Sequence, residues 1–138
     1  MEFAGYGLHK SRPSTEAQII EDLECVIDYV INTLGFANDH IILMGRSIGS
    51  GPAVHVASHL HLGGLVLISP FTSIKCVVKN LPYLGSIAHA LVKQRFDNLS
   101  KIASINCKGV TIHGDKDDLI PLSQSEQLVG KLSLYDRG

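Results

Sequence analysis

The hydrophobic pattern along the chain alternates between two kinds of segment. From Thr15 onward, apolar residues recur at Ile19, Ile20, Leu23, Val26, Ile27, Val30, Ile31 and Leu34, the spacing of one helical face. Thr15 is placed to cap that helix, with Gln18 completing a capping box, and Gly35 is a fitting stop. The acids Glu21, Asp22, Glu24 and Asp28 occupy its polar side, where the helix dipole favours those near the start. Three short apolar runs follow: His40 to Met44, Gly64 to Ser69 and Lys108 to His113. They are rich in branched residues and read as buried strands. Residues 48–60, with Ala53, Val56, Ala57 and Leu60 on one face, read as a helix, and so does 123–129. Pro52 fits the first of these only in its opening turn. Residues 71–106 are less regular, with Pro82 and Gly85 as breaks and Ile87 to Val92 helical. Residues 1–7 leave little room for a strand before Gly5 and Gly7 turn the chain. Strands separated by helices predict an α/β domain, a mainly parallel sheet with helices on both faces.

Composition narrows the function classes. The chain has 138 residues, 45% hydrophobic and 18% charged, enough for one domain with a core. Its net charge of −1 has no basic stripe, which argues against nucleic acid as a partner. Cys25, Cys76 and Cys107 form no CxxC pair, so neither a zinc framework nor a disulfide scaffold is expected. Runs such as Leu65 to Ile68 are too short to span a bilayer, and the start of the chain lacks the pattern of a secretory leader. A cytoplasmic location is the expectation.

The candidate chemistry lies in "ILMGRSIGSGPA", residues 42–53. A GxSxG pentapeptide alone turns up by chance in about one chain in twenty of this length. Here a strand leads into Gly45 and a helix leaves after Ser47, the arrangement of a nucleophile elbow. Such a turn strains the serine backbone, and Gly45 and Gly49 let strand and helix approach. The N–H of Ile48 then faces a developing oxyanion from a helix start. An oxygen nucleophile needs a base, and the base needs an acid to orient it. Asp115, Asp117 and Asp118 follow the third strand at the same sheet edge, and spacing alone does not choose among them.

"GRSIGSGPAVHVAS", "LVLISPFTSI", "FDNLSKI" and "VTIHGDKDDLIP" together resemble the α/β-hydrolase fold. The closest likeness is to the serine-aminopeptidase-like branch that includes the protein-depalmitoylating α/β-hydrolase-domain proteins. "EFAGYG" is similar to the end of that branch's fourth strand, and the likeness covers about residues 2–130. It implies a partial α/β-hydrolase domain over residues 1–138, with 72–96 as a cap and Phe71 and Thr72 lining the pocket. It implies Ser47 as nucleophile, Ile48 as oxyanion donor and Asp117 as triad acid. The implied substrate is an acylated protein or a small acyl ester or thioester, with no cofactor and no metal.

The family's triad runs Ser, Asp, His, with the histidine in a loop after one further strand. No histidine follows His113 here, and the position of His113 is structural in the family. His55, His59 and His61 are expected on the surface, and His89 in the cap. The second oxyanion donor, from a loop before "EFAGYG", has no counterpart. The family's first strands and last strand are expected to be missing, which leaves the nucleophile strand with an unpaired edge. Membrane association is expected only through segments outside this chain. The resemblance therefore implies weak or no activity for this chain alone; the other reading is a non-catalytic fragment or binding module.

Overall fold

The computed structural model describes residues 2–11, 13–80, 93 and 95–132. Helix α1 spans Glu16–Asp28 and continues through a wider helical turn, Tyr29–Thr33. Thr15 caps it by accepting from the N–H of Gln18 at 3.2 Å. The capping box is half-formed, because the Gln18 amide turns to Glu21 and Asp22 instead of back to Thr15. Ile19 and Ile27 are buried, while Val26 and Leu34 stay exposed, so the buried stripe is narrower than the sequence suggests. Gly35 ends the segment at φ 75, a left-handed position that favours glycine.

Strand β1 (Ile42–Arg46) runs two residues past the apolar run and leads into a tight turn, Ser47–Gly49, and helix α2 (Ser50–Ala57). Pro52 lies in the first turn of α2, where its missing N–H costs little. Strand β2 (Gly64–Ile68), helix α3 (Ile74–Lys79), helix α4 (Asn98–Lys101), strand β3 (Gly109–Ile112) and helix α5 (Leu122–Val129) follow. The sequence pattern did not expect α3 or α4. Each is started by a side-chain cap, Ser73 on the N–H of Cys76 and Asp97 on that of Ser100. The Ile87 to Val92 helix, His89, most of the 72–96 cap and residues 133–138 lie outside the described residues.

The sheet has the order β1-β2-β3 and is parallel throughout. Leu43, Leu65 and Leu67 on one face join Ala53, Val54, Ala57, Ile102 and Leu128 in the main core, so α2, α4 and α5 lie on that face. On the other face, Ile42 and Met44 are 67% and 69% exposed, and Val110 and Ile112 are also open. Among the described residues the helical layer covers one side only, so a second layer is not among them.

Among the described residues β1 pairs with β2 alone, which makes the strand that leads into Ser47 an edge. A cleft of about 250 Å³ runs beside it, lined by Phe3, Leu23, Met44, Arg46, Ile48 and Pro52, among others. Residues 2–11 do not fill it with a strand. Phe3 packs at its side, and Gly7–His9 form a short helical turn. A second core, Ile19, Phe71, Phe96 and Ile120, joins α1 to the loops after β2 and β3.

Polar groups at that second core are firmly held. Gln124 Oε1 accepts from both the backbone N–H and the hydroxyl of Thr72, at 3.0 and 3.1 Å, with all partners buried. Gln124→Leu leaves both Thr72 donors without an acceptor, each worth about 1–3 kcal/mol. The Gln124 amide nitrogen has no partner among the described residues, so its removal offsets part of the cost. The net expected loss is about 2 kcal/mol, read as a lower urea midpoint with an unchanged slope.

Candidate active site

The carboxyl ends of the strands gather the residues that the sequence singled out. Ser47 leaves β1 at φ 48 and Ser69 leaves β2 at φ 43. Both are left-handed, a conformation that costs a non-glycine residue about 1–3 kcal/mol and clusters at functional turns. The strain at Ser47 follows from how closely α2 packs on β1. A β-carbon on Gly45 would lie 2.6 Å from the Gly49 carbonyl oxygen and 2.9 Å from Ala53 Cβ and Ser50 Cα. Only glycine fits there. The same role expected for Gly49 does not hold: its φ is −65 and a β-carbon there meets nothing within 4 Å. The close approach of strand and helix falls on Gly45; at Gly51, the second residue of α2, a β-carbon would run into the Phe96 ring.

Ser50 Oγ donates to the Ser47 carbonyl at 2.7 Å and fixes the turn from beneath. Ile48 stands second in that turn. Its N–H falls in the first turn of the helical segment, where no preceding carbonyl of the helix accepts it. The turn can therefore present a hydroxyl and a backbone donor side by side at the sheet edge.

Asp117 sits beyond β3 with its carboxylate already organised. Oδ1 accepts from the N–H groups of Ile120 at 2.9 Å and Leu119 at 3.1 Å. These backbone bonds, Ile120 first, hold its pKa below the usual carboxylate value against the opposing effect of burial, and the Ser69 side chain and His113 add to the lowering. Ser69 is thus a site residue that sequence reasoning missed; its only signal was its place at the end of a strand before Pro70. Strands β1 and β3 are two strand spacings apart, about 9.5 Å.

A lowered aspartate pKa stabilises the fold above the unfolded-state value, about 3.9, and that stability is lost as pH falls towards the folded value. Asp117→Ala should therefore lower stability at pH 7 and flatten the acid side of the pH–stability curve. Asp117→Asn keeps an oxygen for both N–H groups and should cost less. Melts from pH 7 down to pH 3 check the ordering.

His113 is tied to the loop after β3 and to α5. Its side chain is 2% exposed. Nε2 faces the Ile120 carbonyl at 2.6 Å and so donates, which leaves Nδ1 to accept from the Ser125 hydroxyl at 2.5 Å. Asp117 Oδ2 lies 3.6 Å away, outside hydrogen-bond range. His55 lies near the end of α2, and His59 and His61 lie beyond it, away from Ser47 at its start. Phe71 is buried in the second core and Thr72 is tied to Gln124. The cleft beside the elbow is lined instead by Ile48, Gly49, Phe3 and their neighbours along β1.

A parallel sheet whose first strand turns through a left-handed serine into a helix defines the α/β-hydrolase architecture. Comparison with solved structures agrees. An acylaminoacyl peptidase from Pyrococcus horikoshii superposes with a TM-score of 0.66 at 14% identity, over 86% of this chain and 21% of that one. An alpha-beta hydrolase from Vibrio vulnificus gives 0.59 at 20% identity, over 88% and 58%. Among curated proteins, the Caenorhabditis elegans alpha/beta hydrolase domain-containing protein aho-3 is 29% identical over 99% of this chain and 37% of its own length. Human alpha/beta hydrolase domain-containing protein 17B is 27% identical over 99% and 43%. No family model matches the chain. The chain has part of the α/β-hydrolase fold, is similar in sequence to these α/β-hydrolase-domain proteins, and spans less than half of their length.

Proposed function

We propose that this chain carries the nucleophile and acid of a serine hydrolase acting on acyl esters or thioesters, with palmitoyl thioesters on proteins as one substrate class. The observation that carries the reading is Ser47 at φ 48 in a strand-to-helix turn closed by Gly45. In this reading Ser47 Oγ attacks the acyl carbonyl and the N–H of Ile48 stabilises the oxyanion. Asp117 orients an imidazole and steadies its protonated form. The names of the curated relatives support hydrolysis; the choice of ester or thioester rests on the resemblance of the motifs. The substrate is an acylated protein or a small acyl ester. The chemistry asks for no cofactor, metal or nucleic acid.

No hydrogen bond between Ser47 and a histidine is found among the described residues, and this reading takes the base to be missing from them. Loss of the histidine from such a triad costs about 10⁶ in kcat, or about 8 kcal/mol. Turnover by this chain alone is therefore expected to be very slow. Free imidazole supplied in solution should restore part of it. The test is acyl-thioester hydrolysis at rising imidazole, for this chain and for Ser47→Ala. A rate above that of the variant, growing with imidazole, is expected; identical rates in both at every concentration would overturn the reading. The open edge of β1 favours a second reading, a binding piece that pairs this edge with another strand. Among the described residues no helix is long and apolar enough to cross a membrane.

A further inference from the structure

The far end of α2 and the middle of α1 bring together three side chains that the chemistry above does not use. His55 and His59 are four residues apart, so both rings project from one side of the helix end. They meet edge to face with centroids 5.1 Å apart. Glu24 approaches from α1. Its Oε1 lies 3.6 Å from Nε2 of His55 and 3.6 Å from Nε2 of His59. The three donor atoms all lie within 4.8 Å of one another.

We propose that Glu24, His55 and His59 form a binding site for a divalent transition-metal cation with the chemistry of zinc. Zinc takes imidazole nitrogens and carboxylate oxygens at about 2.0–2.2 Å in a tetrahedron, which sets neighbouring donors about 3.4 Å apart. The carboxylate stands at nearly that distance from both rings. At 3.6 Å it is beyond hydrogen-bond range of either ring, an ion-pair separation that a bridging cation would also satisfy. Two imidazoles and one carboxylate suit zinc, nickel or copper better than magnesium or calcium, which prefer oxygen alone. Glu24 and His59 are about half exposed, which leaves water free to complete the coordination shell. Burial, Lys101 and His59 hold His55 below the usual histidine pKa, which favours the neutral ring that a metal needs.

Lys101 gives the proposal its sharpest consequence. Its Nζ lies 2.8 Å from Nδ1 of His55. An ammonium only donates, so it bonds to the Nδ1 lone pair and leaves the ring proton on Nε2. Binding through Nε2 requires that proton to sit on Nδ1 instead, and displaces Lys101. Metal-bound histidines ordinarily give this second N–H to a carboxylate or carbonyl. Lys101 therefore opposes the ion, and a glutamate in its place would support it. The bound ion would tie α1 to α2, the helix that begins at the elbow, and it does not depend on any activity of Ser47.

The experiment is a calorimetric titration of Zn²⁺ into the purified chain, with thermal melts alongside. One equivalent should bind and raise Tm. His59→Ala and Glu24→Gln, both at exposed side chains, should each weaken binding by about tenfold or more and remove the Tm rise. Lys101→Glu should tighten binding by about tenfold. Circular dichroism of each variant checks that the fold is kept. No binding by the native chain, or equal binding by the native chain and His59→Ala, overturns the proposal. The latter would place the ion elsewhere, for instance on the exposed thiols Cys25 and Cys76.

Discussion

Replacing Gly45 by valine should unfold the chain at room temperature or bring it close to unfolding. The β-carbon alone would press on the Gly49 carbonyl oxygen, Ala53 Cβ and Ser50 Cα, two of them backbone atoms that cannot swing aside. Valine adds two methyl groups to that overlap. β1 and α2 would have to separate at their tightest contact, the base of the main core. Overpacking costs about 1–3 kcal/mol where neighbours can yield and more where they cannot. A domain of this kind holds about 5–15 kcal/mol in all. The control is Gly49→Ala, at a right-handed φ with open space around it, expected to change stability by about 0.5 kcal/mol or less. Urea midpoints separate the two. Equal losses in both variants would mean that the elbow is not packed as described.

The second large effect concerns rate. Where a histidine is supplied in place, Ser47→Ala should lower kcat by about 10⁶ and Asp117→Asn by about 10⁴. In this chain without added imidazole the two should diverge differently. Asp117 acts only through a ring, so Asp117→Asn should leave the residual rate unchanged. Ser47→Ala should still remove whatever hydrolysis depends on the serine. Measuring both variants against the same thioester, with and without imidazole, checks the pattern. A large loss in Asp117→Asn without imidazole would mean that a base is already present.

Much of this was legible in the sequence because it rests on local rules. The strands, α1 and α2 follow from apolar spacing, and Ser47 from glycines at fixed offsets. Asp117 was one of three equivalent acids until the family motif chose it; the structure adds the Ile120, Leu119 and Ser69 bonds that set it apart. What stayed hidden depends on contacts distant in sequence. Gly49 looks equivalent to Gly45, yet only Gly45 faces the crossing of strand and helix. The bond that holds Thr72 comes from Gln124, 52 residues away, which no local pattern announces. Helix α3 is a single capped turn and a half, too short for periodicity to reveal. The spacing of His55 and His59 was visible, but nothing local announces that Glu24 meets them.

The most direct test of the account is the covalent capture of Ser47. The chain is treated with a fluorophosphonate in the presence of imidazole, digested, and the modified peptide located by mass spectrometry, with Ser47→Ala beside it. The account predicts a single adduct on Ser47 that grows with imidazole and is absent from the variant. A chain that melts cooperatively yet carries no adduct, or carries it on another serine, would contradict the assignment of Ser47 as the nucleophile.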